Sequence, residues 1–158
     1  MSWLAAILVI TVIFAVQLPA QRHSRTIEGH GNDLAGAAAI VGRGAEPGDA
    51  VLFLPRRYRA AALGYPAGFV QVRDIALAKT PIEAANLRSS DLGRRQVRQA
   101  LLATDRVWVV GRSKLSVRAG EIGAVSARQV LREHFTMERS YRVPGMQVTL
   151  FVNKHAVP

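Results

Sequence analysis

The first 21 residues carry no charged side chain, and this run constrains the chain more than any other feature. From Ser2 to Ala20, the polar side chains are those of Ser2, Thr11 and Gln17. In a helix, these 19 residues would span about 28 Å, which is close to the hydrocarbon thickness of a bilayer. We therefore predict a transmembrane helix over residues 1–21.

Two alternatives to a membrane span stay open for this run. A cleaved signal peptide begins with basic residues and ends in a small-x-small cleavage site, and the run has neither feature. A buried helix of a globular domain is rarely apolar on every side. Pro19 is expected to end the helix, and Arg22, His23 and Arg25 follow it.

Composition excludes several classes of function. The chain holds 21 Lys or Arg against 11 Asp or Glu, a net charge of +10, and no cysteine. It therefore has no disulfide scaffold, no Cys-ligated metal and no thiol nucleophile. The arginines are spread over every segment without a nucleic-acid reader motif, so nucleic acid is not an expected partner. No histidine spacing suits a metal and no glycine loop completes a phosphate motif, so no cofactor is expected.

The rest of the chain predicts a short linker over residues 22–31 and one soluble α/β domain over residues 32–158. Apolar runs at Ala50–Leu54 and Arg106–Val110 are typical of strands buried on both faces, and Phe69–Val72 is a third candidate strand.

Helical stripes separate these strands, and a different pattern follows them. One stripe lies behind a cap at Asn32 or Asp33, and another occupies residues 121–134. Residues 136–143 and 146–153 then alternate between apolar and polar side chains, which predicts an antiparallel hairpin. The expected fold is an N-terminal transmembrane helix followed by a small three-layer α/β domain, with a mostly parallel sheet and a C-terminal β-hairpin.

Arginine is the one residue type that suggests a binding site. Arg56 and Arg57 come directly after the first strand, and open α/β sheets bind ligands at the carboxyl ends of their strands. Arg22 and Arg25 would lie at headgroup depth below the predicted span. These four residues are weak candidates for contact with a lipid phosphate, and a solvated basic turn is the alternative for Arg56 and Arg57. No motif supplies a catalytic residue.

The order of segments resembles a known family. An apolar helix ending in LPAQR is followed by GHGNDLAGAAAIV, by EPGDAVLFLPRRYR and by the late strand RVWVVG. Together they resemble the C-terminal end of bacterial multispanning GT-C glycosyltransferases, the membrane mannosyltransferases related to the dolichyl-phosphate-mannose protein mannosyltransferases. The resemblance covers nearly the whole chain, and its most specific piece is PGDAVLFLP at Pro47–Pro55.

The resemblance implies an accessory part in sugar transfer. The family's catalytic carboxylate lies in an early loop that has no counterpart here, so this chain alone is expected to be inactive. The implied partners are the lipid bilayer, a polyprenyl-phosphate-linked sugar and an upstream multispanning membrane polypeptide. The implied location is the cell membrane, crossed once by this chain, with the α/β domain outside the cytoplasm.

Two other functions stay open. The chain could be a single-pass membrane-anchored binding or interaction module of the cell envelope. It could also be an anchored regulator that faces the cytoplasm, which the positive charge of Arg22 and Arg25 favours under the positive-inside rule.

Overall fold

The computed structural model describes residues 3–24, 31–86, 89–112 and 122–155. The chain begins with helix α1 (Trp3–Ser24). The described strands are, in chain order, β1 (Ala50–Leu54), β2 (Arg73–Asp74), β3 (Leu77–Lys79), β4 (Ser90–Asp91), β5 (Arg106–Arg112), β6 (Phe135–Val143) and β7 (Met146–Asn153).

The structure contradicts the transmembrane prediction. In the described ranges, no helix is long and apolar enough to cross a membrane. Helix α1 does not end at Pro19 but continues to Ser24. The predicted transmembrane helix over residues 1–21 and the predicted single-pass membrane location are therefore wrong.

Five of the strands form one mixed sheet in the order β2-β1-β5-β7-β6. Strand β1 pairs in parallel with β2 and with β5. Strand β7 pairs antiparallel with β5 and with β6. The prediction of a mostly parallel sheet is also wrong, because the C-terminal hairpin joins the sheet through β7 and makes half of its pairings antiparallel.

Helices α2 (Leu34–Gly44) and α3 (Ala60–Gly64) cover one face of this sheet. Asp33 caps α2, since its carboxylate accepts a hydrogen bond from the backbone N–H of Gly36 at 2.7 Å. The buried side chains of α2 are small, and they pack against large side chains of the sheet, among them Phe53 and Trp108. The predicted cap at Asn32 or Asp33 is thus confirmed for Asp33.

Helices α4 (Arg94–Leu102) and α5 (Ile122–His134) cover the opposite face. Leu101 of α4 and Val130 of α5 are fully buried there against Leu52 and Val107 of the central strands. Strand β1 is buried along its whole length because helices pack on both of its faces. Between the two helical layers lies a sheet whose two faces carry separate apolar clusters.

The connection between β1 and α4 differs from its prediction. The chain makes two short 3-10 turns, Arg56–Arg59 and Pro66–Phe69, on either side of α3. Phe69–Val72 is therefore not a strand, because Pro66 fixes a helical turn that ends at Phe69. Strands β3 and β4 form a small antiparallel sheet of their own in a segment where the sequence predicts no strand.

The hairpin of β6 and β7 turns at Pro144 and Gly145, and Gly145 adopts a φ of 70°. Its register shifts between Met137 and Arg139, so Glu138 is an extra residue in β6. Such a bulge bends the strand and redirects its side chains. Here it leaves Met137 on the face that carries α5, next to the pocket described below.

Candidate functional site

A crevice opens at the carboxyl ends of β1 and β5. The chain leaves β1 towards β2 at one edge of the sheet, and it leaves β5 towards β6 at the other edge. Two adjacent parallel strands whose connections diverge in this way leave a gap between them, where open α/β sheets bind ligands. The last residues of the two strands, Leu54 and Arg112, line the pocket found there.

The pocket has a volume of about 300 Å³ and lies between α5 and the sheet. Its wall is largely apolar, with side chains from β1, β5, β6, β7 and α5. A ligand with an apolar part can bury that part here. The apolar side chains of the wall are Leu54, Val109, Leu131, Met137 and Phe151.

Three arginines also line this cavity, which we call the arginine pocket: Arg112, Arg128 and Arg132. Arg112 ends β5 and is exposed, as is Arg132 on α5. Arg128 precedes Arg132 by one helical turn, so both reach the same side of α5.

Arg128 differs from the other two in its surroundings. Its Nε and Nη1 atoms are buried and have no hydrogen-bond partner within the described part of the chain. Buried guanidinium N–H groups without a partner are costly, because they have lost water and gained no described acceptor. The described residues that line the pocket include no carboxylate. An anion entering the pocket would therefore meet donors that no described residue satisfies.

A row of neutral polar groups lies on the sheet below the arginines. Gln147 and Thr149 of β7 line the pocket, and Ser140 of β6 stands between them. The Gln147 amide Nε2 donates to Ser140 Oγ at 2.7 Å. Ser140 Oγ lies 3.2 Å from Thr149 Oγ1. The pocket is thus lined by charged donors on one side and by the Thr149 hydroxyl and the Gln147 amide on the other.

The arginines predicted as phosphate contacts lie elsewhere. Arg56 and Arg57 are both exposed in the 3-10 turn after β1, and neither lines the pocket. Arg56 lies 3.5 Å from the carboxylate of Asp91, and the Arg57 guanidinium lies 5.2 Å from the ring centre of Tyr58. Both cations already have a neighbour, which fits a solvated basic turn better than an open anion site.

The two N-terminal candidates cannot be placed with these. The backbone of Arg22 belongs to α1, but the structure does not describe its side chain. Arg25 falls between the described ranges 3–24 and 31–86.

Arg59 is the buried member of the same basic turn. It donates to Asp74 at 2.5 Å, to Asp91 at 2.7 Å and to the hydroxyl of Ser89 at 3.0 Å. Burial acts to lower the pKa of Arg59, but the hydrogen bonds and charges of Asp74 and Asp91 outweigh it and hold the pKa above its ordinary value. Because two carboxylates already satisfy it, Arg59 has a structural role.

A second buried ion pair lies at the opposite, amino end of β1 and β5. The Asp49 carboxylate accepts hydrogen bonds from Trp108 Nε1 at 2.9 Å and from the backbone N–H of Glu46 at 3.1 Å. Arg106 Nε faces it at 3.2 Å. Asp49 is thus a carboxylate with partners on every side, and it fixes the turn before β1.

The described residues form neither a metal-ligand cluster nor a recognisable set of catalytic groups in the pocket. They contain no group of three or more His, Asp or Glu side chains that could hold a metal ion. The arginine pocket offers hydroxyl and amide groups but no described general base among its lining residues.

The sequence places candidate arginines at the carboxyl end of the first strand. The pocket begins at that end, at Leu54, and the arginines that line it are Arg112, Arg128 and Arg132. The missed signal is the pair Arg128 and Arg132, which follows the apolar stripe of α5 at helical spacing. Comparison of the chain with protein-family models, curated proteins and solved structures finds no match.

Proposed function

We propose that this domain is a binding module for a small organic anion, which it holds in the arginine pocket. The observation that carries the proposal is Arg128, whose buried Nε and Nη1 atoms lack a partner among the described residues. A charged donor of this kind destabilises the free protein and returns that free energy when an anion binds. Arg112 and Arg132 add positive charge at the rim.

The wall of the pocket indicates what the rest of the ligand is like. Leu131 and Phe151 present apolar surface beside the arginines, so a purely ionic ligand such as inorganic phosphate would leave it uncovered. An anionic group attached to an apolar chain or ring uses both parts of the site. The proposed ligand is therefore amphipathic.

An accessory part in glycosyl transfer is the second candidate function. The resemblance to GT-C glycosyltransferases implies a polyprenyl-phosphate-linked sugar as a partner, and such a molecule combines a phosphate with an apolar chain. The apolar wall around Leu131 favours it over a plain sugar phosphate. In this role the domain would bind the lipid-linked group, and a separate polypeptide would carry out catalysis.

Calorimetric titration of the purified full chain tests the proposal. We expect heptanoate and hexyl phosphate to bind, and hexanol, which shares the apolar chain without the charge, to bind about tenfold more weakly or not at all. Saturating anion should also raise the melting temperature.

A matched pair of variants identifies the site. Arg128→Met keeps an unbranched apolar side chain and removes the guanidinium with its charge, and it should weaken the binding of both anions about tenfold. Arg98→Met removes an exposed arginine from α4 and should change nothing. If neither anion binds, or if the two variants weaken binding equally, the proposal is wrong.

The same pair gives a second readout. Because the described structure offers Arg128 Nε and Nη1 no partner, Arg128→Met should melt no lower than the parent protein. A large drop in melting temperature would show that Arg128 supports the fold, and it would count against a binding role.

A further inference from the structure

The polar row on the floor of the arginine pocket has a direction. The amide nitrogen of Gln147 can only donate, so Ser140 Oγ accepts that hydrogen bond. Ser140 Oγ lies 3.2 Å from Thr149 Oγ1, and either hydroxyl can donate to the other. The cooperative order is the one in which Ser140 donates and Thr149 Oγ1 accepts, because a hydroxyl that accepts from one neighbour is a stronger donor to the next.

Thr149 therefore keeps its own hydroxyl hydrogen. The residue is buried and lines the pocket, and its one hydrogen-bonded neighbour among the described residues is Ser140. Since successive hydrogen bonds polarise one another, accepting from Ser140 makes Thr149 a better donor. The hydroxyl hydrogen of Thr149 can therefore be donated to a ligand in the pocket.

We infer that Thr149 is a ligand-contacting donor that makes the arginine pocket selective for tetrahedral oxyanions, above all a phosphate monoester on an apolar group. This inference rests on the proposed function and adds the chemical class of the ligand to it. Ser140 and Gln147 are positioning residues, because they act on the ligand through Thr149.

The geometry of the two donor layers favours a tetrahedral group. Arg128 approaches from α5, on one side of the cavity, and Thr149 lies in the sheet, on the other side. A carboxylate has two oxygens in one plane, whereas a phosphate monoester has three that diverge from the phosphorus. The tetrahedral group can therefore accept from α5 and from the sheet at once, while Leu131 contacts its apolar substituent.

Hexyl sulfate and heptanoate provide the test, because both carry one negative charge on a hexyl chain and differ in the shape of the anion. The parent protein should bind hexyl sulfate about tenfold more tightly than heptanoate in calorimetric titrations. Hexyl phosphate should share that preference.

Thr149→Val has nearly the same shape and lacks the hydroxyl, so it should abolish the preference while heptanoate affinity stays close to that of the parent. Thr149→Ser should restore the preference. Ser140→Ala, at an exposed position, should reduce it without touching the ligand, and this variant carries the test if Thr149→Val fails to fold. Thr136→Val is the matched control on an exposed part of β6.

The outcomes separate this inference from the proposed function. If Arg128→Met weakens both probes while the parent binds them equally, or if the preference survives in Thr149→Val and Ser140→Ala, the anion site stands and the role of Thr149 is refuted. If neither probe binds the parent protein, both proposals fail. A preference that disappears in Thr149→Val and persists in Thr136→Val supports the inference.

Discussion

Trp108 Nε1 donates a hydrogen bond of 2.9 Å to the carboxylate of Asp49, and both residues are almost completely buried. The bond joins the central strand β5 to the turn that precedes β1. Arg106 and the backbone of Glu46 complete the surroundings of the same carboxylate. The amino ends of the two parallel strands are therefore fixed by polar contacts inside the fold, while their carboxyl ends remain open at the arginine pocket.

Removing the Asp49 carboxylate should destabilise the protein. Asp49→Ala leaves the buried Trp108 N–H without its acceptor and leaves Arg106 paired with Glu46 alone, which costs about 2–4 kcal/mol of unfolding free energy. Urea denaturation followed by tryptophan fluorescence measures it. The control is Asp105→Ala, since Asp105 is exposed and directly precedes β5. This variant should stay within about 0.5 kcal/mol of the parent. Equal effects of the two variants would contradict the structural role of Asp49.

Arg59→Met should be destabilising for a related reason. It leaves the carboxylates of Asp74 and Asp91 without the buried guanidinium from which both accept hydrogen bonds, at a cost of about 2–4 kcal/mol in urea denaturation. Arg57→Met removes an exposed arginine from the same turn and should have little effect. A stable Arg59→Met variant would mean that the two carboxylates find other partners.

Two glycines at helix ends should respond in opposite ways to alanine. A Cβ on Gly44 would lie 2.7 Å from Cη2 of Trp108, and the ring is held by Asp49, so Gly44→Ala should cost about 1–3 kcal/mol. A Cβ on Gly64 would meet nothing within 4 Å, so Gly64→Ala should be neutral or stabilising by up to about 1 kcal/mol. Thermal unfolding of the pair checks the packing of α2 on the sheet, which would be wrong if the order were reversed.

Glu83 should titrate below its ordinary value of 4.5. The backbone N–H of Thr80 donates to its carboxylate at 2.8 Å and the Thr80 hydroxyl at 2.9 Å, and both bonds lower the pKa by favouring the charged form. The contribution of this pair to stability is therefore present above the pKa of the unfolded chain, and it is lost as pH falls through the lower pKa of the folded state.

An NMR titration of the Glu83 carboxyl carbon measures this pKa. Thr80→Ala removes the hydroxyl donor and keeps the backbone N–H, so it should move the pKa part of the way back. A midpoint at or above the ordinary value in the parent protein would contradict the capped turn.

The elements that the sequence predicts correctly are those with a local cause. Strand β1 is an apolar run bounded by Pro55, and α2 begins at a residue whose carboxylate can cap it. The sheet order has no local cause. Nothing in the alternation of β7 distinguishes pairing with β6 alone from pairing with β5 as well, and that second pairing makes the sheet mixed.

The error in α1 has a different origin, because there a local rule failed. Proline disfavours a helix interior, which predicts an end at Pro19, yet the helix continues to Ser24. The apolar composition of the run predicts the helix correctly, but its prediction of a membrane span is wrong.

The candidate site escaped the sequence because its parts are far apart along the chain. Leu54, Arg128 and Thr149 meet only once β1, α5 and β7 are assembled. Charge counting treats Arg128 as one of many scattered arginines, although its Nε and Nη1 atoms are buried without a partner in the described structure. Burial of a charge is a property of the fold, and no spacing rule reveals it.

The contact of Arg59 with both Asp74 and Asp91 has a consequence for how this fold can change. Those carboxylates stand at the two ends of the detour that carries β3 and β4, so one side chain of the turn after β1 holds the entry and the exit of that detour. The length and sequence of the chain between them can therefore vary while both anchor points stay in register with the sheet. This makes residues 80–86 the natural place for a lineage, or an engineer, to insert new surface without redesigning the core.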